Sequence, residues 1–226
     1  MLESVAETGS TNDDLLARAA AGALEGLWLR AERQTGGKGR QGRTWTSPPG
    51  NLHASTLVRI RPGDPPAPTL ALVAAVALHE ALTINCPTQI KWPNDLLAGE
   101  AKLAGILLER SGDAVVVGFG ANLAHHPEGL DRPVASIATL TGAAPDPHEV
   151  AQRLARCFAD WVRRWREEGL APVREAWLAA AHSIGTPLTT PEGQGAFDGL
   201  DPGGALRLKL PDGSVRLVHA GDVFLL

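Results

Sequence analysis

The chain has 226 residues, 44% hydrophobic and 20% charged, with a net charge of −4. That length suits one substantial core with a small appended module, and the acidic balance argues against a general nucleic-acid binder, which carries a basic excess. Cys86 and Cys157 form no metal spacing and read as reduced thiols of a cytoplasmic protein, while an acidic N-terminus is unlike a signal peptide and the apolar run Thr69 to Leu82 is too short to span a membrane.

Ser10, Thr11 and Asn12 precede Asp13-Asp14-Leu15-Leu16 and an alanine-rich run ending at Gly22. Short polar side chains, acids in the first turn and a closing glycine predict a capped helix. The three polar residues serve either as that cap alone or as a grip on a small polar head group. Leu27 to Arg33 predicts a strand, with Gln34 at its exit.

The next stretch, GGKGRQGRTW from Gly36 to Trp45, sets four glycines among three cations, Lys38, Arg40 and Arg43. Nothing in it buries an apolar face, so it predicts a loop that is mobile unless a ligand orders it. Glycines admit close backbone approach, and the cations suit carboxylate or phosphate. A solvated basic loop is the plain alternative. The spacing is not that of a phosphate-binding Walker loop, and the strand-then-helix context of a dinucleotide fingerprint is missing.

Asn51 to Ile60 predicts a second strand, Pro62 to Pro68 a turn, and Thr69 to Leu82 an apolar helix buried against a sheet. In Ile90-Lys91-Trp92-Pro93-Asn94-Asp95-Leu96 the proline fixes an extended approach, and Asn94 and Asp95 read as a tight turn. Lys102 to Glu109 (KLAGILLE) and Ala114 to Phe119 form a hairpin across Ser111-Gly112-Asp113, leading into GFGANL from Gly118 to Leu123, where glycines permit close approach. An exposed strand edge near this hairpin is expected to pair two chains or to receive a partner. Asp146-Pro147 starts a long helix, with Val150, Leu154, Phe158, Trp161 and Trp165 on its buried face. Its charges Arg163, Arg164, Arg166, Glu167 and Glu168 read as solvated. A further helix spans about Pro172 to Ala181. From Ile184 the chain turns to short strands broken by Gly, Pro and Asp: a β module too small to stand alone, leaning on the main domain.

Of the 21 basic residues only Lys38, Lys91, Lys102 and Lys209 are lysines. The first three fall in these motif-like segments, which fits sites needing a compact ammonium rather than a planar fork. His125-His126 lacks a carboxylate–histidine metal spacing and reads as loop. Hydrolase signatures, a GxSxG elbow or an HExxH helix, are absent.

STN at Ser10 to Asn12, GGKGRQGRTW, KWPNDL at Lys91 to Leu96, KLAGIL at Lys102 to Leu107 and GFGANL follow one another in an order that closely resembles the biotin–protein ligases, over nearly the whole chain. The resemblance implies an α+β fold: a class II synthetase-like mixed sheet with helices in residues 1–182, and a C-terminal SH3-like β-barrel in residues 183–226. It implies a ligase that activates biotin with ATP and Mg²⁺ as biotinyl-5′-AMP and passes it to a lysine of a biotin carboxyl carrier domain. Ser10, Thr11, Asn12, Gln34, Lys38, Gly39, Arg40 and Lys102 are implied at biotin. Arg40, Arg43, Trp45, Asn94 and Asn122 are implied at the nucleotide, and Lys102 and Arg40 in catalysis. Mg²⁺ is implied mainly on the ATP phosphates, near Asp95 at most. Lys38 and Gln41 depart from the arginine frequent in that loop. Lipoate–protein ligase is the sister alternative, disfavoured by the WPND and GKGRQGR strings. A nucleic-acid module is disfavoured by the net charge and by the lack of interleaved aromatics. Only nine residues precede Ser10, too few for a helix-turn-helix, so no DNA binding by that route, no membrane contact and possible homodimerisation are expected.

Overall fold

The computed structural model describes residues 1–225. Seven strands form one mixed sheet: β1 (Leu2–Thr8), β2 (Trp28–Gln34), β3 (Leu52–Arg59), β4 (Gln89–Lys91), β5 (Asp95–Ala98), β6 (Ala101–Ser111) and β7 (Ala114–Ala121), in the order β1-β2-β3-β7-β6-β5-β4. β1 and β2 run parallel and every other pair is antiparallel. One face is covered by α1 (Thr11–Ala20), whose Leu15 and Ala19 pack on Leu29, Leu57 and Val116.

The other face carries α2 (Leu70–Thr83). Its first nine residues are apolar because they are buried on nearly every side, between the sheet, α4 (Pro147–Glu168) and α5 (Ala171–Ala180), and only the last turn, with Glu80 and Thr83, reaches solvent. A short helix, α3 (Ile137–Thr141), precedes them. Trp28 stacks on Phe119 at 5.6 Å, and Phe158 of α4 meets both edge-on, which ties the long helix to the sheet centre.

The C-terminal unit is a five-stranded antiparallel sheet of β8 (Pro187–Thr190), β9 (Gly193–Leu200), β10 (Leu206–Lys209), β11 (Val215–Val218) and β12 (Phe224–Leu225), ordered β11-β10-β9-β8-β12. Its edge strands β11 and β12 are not joined among the described residues. It shares its core with the main body: Leu188, Phe197 and Leu206 belong to the same cluster as Trp92 and Trp177, and Trp177 lies 6.3 Å from Phe197.

Three expectations change. The hairpin of Lys102 to Phe119 presents no edge, because β6 and β7 lie inside the sheet; the edges are β1 and β4. The tight turn expected at Asn94 and Asp95 is present one residue earlier, at Trp92–Asn94, and closes a hairpin of β4 and β5 in which Asp95 already pairs with Lys91. Arg166 is not on the solvated face: it turns inward to Glu25 at 2.9 Å and to the Arg59 carbonyl at 2.8 Å. That bidentate guanidinium holds the Glu25 carboxyl below its ordinary range. Arg163–Glu167 and Arg164–Glu168 are the exposed i,i+4 pairs expected. Among the described residues no helix is long and apolar enough to cross a membrane.

Candidate active site

The N-terminus of α1, the exit of β2, the glycine-basic loop, the β4–β5 turn and the centres of β6 and β7 open onto one cleft. Ser10, Thr11, Asn12, Gln34, Lys38, Gly39, Arg40, Arg43, Trp45, Asn94, Asp95 and Lys102 all line it. Asn122 does not. It is buried behind the sheet end, where Nδ2 donates to the Ala135 carbonyl at 3.1 Å and its backbone N–H bonds to Leu103.

One wall is neutral and polar. Thr11 N–H donates to Gln34 Oε1 at 2.9 Å, and Thr11 Oγ1 stands 2.6 Å from Ser55 Oγ. Ser55 Oγ donates to Asn12 Oδ1 at 2.6 Å, and Gln34 Nε2 donates to Ser47 Oγ at 3.0 Å. Ser10 is the N-cap of α1, accepting from Asp13 N–H at 3.4 Å. Thr11, Asn12 and Ser55 are buried, so the side chains are fixed by one another rather than by water. A side chain at Gly118 would come within 2.3 Å of Asn12 Oδ1, which explains the glycine there.

The opposite part is cationic. Lys102 Nζ lies 2.5 Å from Asp95 Oδ1, and Lys91 Nζ lies 3.8 Å from the other oxygen. Burial pushes the Lys102 and Lys91 ammonium groups below the ordinary lysine value, and Asp95 opposes that shift in both. Arg132, exposed at the rim, adds repulsion to each. Asp95 thus sustains positive charge in a confined space. With both carboxylate oxygens facing ammonium groups, Asp95 acts as support for its neighbouring lysines, and among the described residues no three acidic, His or Cys groups are grouped to hold a metal.

Trp45 forms the floor. Gly105 of β6 pairs with Gly120 of β7, and the indole lies over this pair so closely that a Cβ at Gly120 would stand 2.5 Å from it. Lys102 Nζ is 5.6 Å from the ring centre. The indole Nε1–H is buried against Gly120 without a hydrogen-bond partner among the described residues.

The glycine-basic loop has partners that its composition did not suggest. Lys38 bridges Thr44, Gly39 N–H bonds to the Arg43 carbonyl at 2.7 Å, and Trp45 N–H to that of Gly37 at 2.9 Å. Lys38 Nζ reaches Asp13 at 2.6 Å, a contact that raises its ammonium above the ordinary value. Arg40 donates to Asn94 Oδ1 at 3.1 Å and to the Gly221 carbonyl at 3.3 Å, and Arg43 to Asp222 at 3.1 Å. The C-terminal sheet therefore closes one side of the cleft, and Phe224 faces Lys91 at 5.9 Å.

Sequence reasoning missed Ser55, Arg132 and Asp222 as cleft residues. Ser55 had one weak signal, a hydroxyl in a strand, LHASTLVR, that is buried almost throughout. Asp222 had none, since its neighbours are set by tertiary packing.

Residues 8–122 match the family model described as the biotin/lipoate A/B protein ligase family, and residues 188–226 match the biotin protein ligase C-terminal domain. A biotin–[acetyl-CoA-carboxylase] ligase of Paracoccus denitrificans is 41% identical, the match covering 97% of this chain and 98% of the relative. One from Mycobacterium tuberculosis is 39% identical over 98% and 88%. The structure of a biotin protein ligase from Aquifex aeolicus in complex with biotin and ATP superposes with a TM-score of 0.89 at 26% identity, covering 100% of this chain and 99% of that one.

Proposed function

The chain belongs to the biotin/lipoate A/B protein ligase family, and from that premise we propose that it activates biotin with ATP and transfers it to a lysine of a biotin carboxyl carrier domain. The observation that carries the reading is the pairing, in one cleft, of a neutral hydrogen-bonding wall with a buried lysine pair. A urea ring is neutral and needs matched donors and acceptors. A carboxylate meeting a triphosphate needs concentrated positive charge. The two requirements lie side by side.

In the first step a biotin carboxylate oxygen bonds to the α-phosphorus of ATP, and the bond to the bridging oxygen breaks. Pyrophosphate leaves with the electron pair. The two reactants are both anions, so Lys102 serves by lying between carboxylate and α-phosphate, its charge sustained by Asp95. Arg40 and Arg43 receive the phosphates and exclude water from the mixed anhydride. Trp45 offers an aromatic face to the nucleoside, and Asn94 orients Arg40. Asn122, engaged with Ala135, supports the backbone beneath the nucleotide rather than touching it. Mg²⁺ neutralises phosphate charge when bound and would be held mainly by ATP itself.

In the second step the carrier lysine's neutral amine attacks the acyl carbon, AMP departs with the C–O electrons, the surplus nitrogen proton passes to the departing phosphate or to solvent, and an amide forms. Ser10, Thr11, Asn12 and Gln34, with Lys38 and Gly39 closing above, hold the bicyclic ring throughout. Residues 1–182 are proposed as the catalytic domain and 183–226 as a C-terminal domain whose Gly221–Asp222 turn steadies the two arginines. The proposed setting is the cytoplasm, with its reduced Cys86 and Cys157, and a homodimer would pair through an edge strand, β1 or β4.

The test is acid-dependent ATP–pyrophosphate exchange with biotin, with lipoate and with neither. Exchange with biotin alone is expected. Exchange with lipoate in its place would move the protein to the sister activity, and none with either would refute adenylation.

A further inference from the structure

The polar wall contains an acceptor that the ligase reading does not use. Glu109 of β6 is half-buried, and its Oε2 accepts from Asn12 Nδ2 at 2.7 Å. Among the described residues Glu109 has no salt-bridge partner within 4 Å, and the bond from Asn12 is the one hydrogen bond its carboxylate accepts. Lys38 lies near enough to feel its charge but does not pair with it, so the direct partner of this carboxylate is the Asn12 amide.

Counting protons along the wall shows what this bond does. A carboxylate accepts and does not donate, so the Asn12 amide must turn its NH₂ toward Glu109 and its oxygen toward Ser55. The single Ser55 hydroxyl proton then goes to Asn12 Oδ1 at 2.6 Å. The 2.6 Å contact between Ser55 and Thr11 must therefore use the Thr11 proton. Nothing remains for the approach of Thr11 Oγ1 to Gln34 Oε1 at 3.0 Å. Gln34 cannot relieve it by flipping, because its NH₂ is engaged with Ser47 and its oxygen holds Thr11 N–H. The Thr11 and Ser55 hydroxyl protons point toward Glu109, and lone pairs collect at Thr11 and Gln34.

We infer that Glu109 is a positioning residue that sets the donor–acceptor polarity of this wall through Asn12, leaving it rich in acceptors and so selective for the N–H donors of a urea ring. The inference rests on the biotin reading of the cleft. Without the carboxylate, the Asn12 amide can flip, its NH₂ can donate to Ser55, and the chain of protons can reverse. The wall would then offer hydroxyl donors where a urea also offers donors. Glu109 itself touches neither substrate.

The experiment compares biotin-dependent ATP–pyrophosphate exchange in the wild type, Glu109→Ala, Glu109→Gln, Asn12→Ala and the Asn12→Ala/Glu109→Ala pair. Loss of one charge-assisted bond in Glu109→Ala is expected to raise KM for biotin by about tenfold. KM for ATP and kcat should stay within about twofold, the pattern of lost ground-state binding. Glu109→Gln, whose amide donates as readily as it accepts, no longer fixes the direction of Asn12 and should raise KM for biotin nearly as far as Glu109→Ala; full activity in Glu109→Gln would mean that an acceptor, not the carboxylate's inability to donate, is what matters. The double variant should match Asn12→Ala, since the two act as one unit. An unchanged KM for biotin, an equal rise for ATP, or additive effects would overturn the inference.

A second readout needs no substrate. The Asn12 side-chain amide resonance in the free protein should show slowed proton exchange that Glu109→Ala abolishes. An amide signal indifferent to Glu109 would overturn the inference by itself. Absence of biotin-dependent exchange in the wild type would instead refute the ligase reading.

Discussion

Replacing Lys102 by methionine separates what the buried ion pair does for folding from what it does for chemistry. Lys102 Nζ and Asp95 are 2.5 Å apart with both side chains largely shielded from solvent. Removing one member of such a pair destabilises by about 3–5 kcal/mol when the survivor is left alone. Asp95 is not left alone, because Lys91 stays 3.8 Å from its second oxygen. The expected loss is therefore smaller, about 2–3 kcal/mol, which for a chain of this length lowers the melting temperature by roughly 4–12 °C. Exchange should fall much further than stability suggests, by at least about 100-fold, the scale of losing one preorganised charge or donor at a reacting centre. Adding Asp95→Asn removes the acid but leaves the Lys91 ammonium without its carboxylate, so the double variant should regain little of the melting temperature and none of the exchange. Thermal melts and pyrophosphate exchange on the three variants decide it. If the double variant recovered exchange together with stability, Lys102 would act only by folding the site, and its assignment at the reacting atoms would be wrong.

Gly118 and Gly120 share one face of β7, the first under Asn12 and the second under Trp45. Gly118→Ala should raise KM chiefly for biotin and Gly120→Ala chiefly for ATP, each with about 1–3 kcal/mol of destabilisation from overpacking; a common effect on both substrates would deny the two-sided cleft. Asp222→Ala should leave the melting temperature nearly unchanged, since its arginine contacts are partly exposed. It should speed tryptic cleavage after Arg40 or Arg43 by about threefold, and protection equal to the wild type would mean that the C-terminal sheet does not steady the loop. Burial lowers the Lys102 and Lys91 values below 10.5, so raising the pH strips their protons earlier than for exposed lysines and weakens anion binding. The alkaline limb of kcat/KM for ATP, which reports the free enzyme, should accordingly fall below that value. In the complex the bound phosphates restore the ammonium form, so the limb of kcat should lie higher. Coincident limbs would show that neither lysine titrates in binding.

The sequence carried the local features and left the long-range ones open, and the residues show why. The buried face of α4 was legible because a 3.6-residue repeat of Val150, Leu154, Phe158, Trp161 and Trp165 can serve no other purpose in a polar helix. β1 was not, because LESVAET is a polar edge strand whose pairing with β2 comes from parallel register, not from an alternating apolar pattern. Arg166 looked like its neighbours Arg163 and Arg164 and differs from them only in facing Glu25, which lies 141 positions away. The site divides the same way. Arg40 stood out in a loop too glycine-rich and cationic for packing, whereas Lys102, in the apolar strand KLAGILLE, and Trp45 were placed by the order of the motifs and their resemblance to the family. Ser55, Asp222 and the Glu109–Asn12 contact, which spans 97 positions, carried no local sign. The loop shows the consequence: read alone, Gly36 to Trp45 has no reason to be ordered, yet Arg40 and Arg43 meet the Gly221–Asp222 turn about 180 residues later. Contacts from the segment before β12 therefore help to hold that loop. A small β module that could not fold comfortably alone thereby steadies the two arginines assigned to the phosphates.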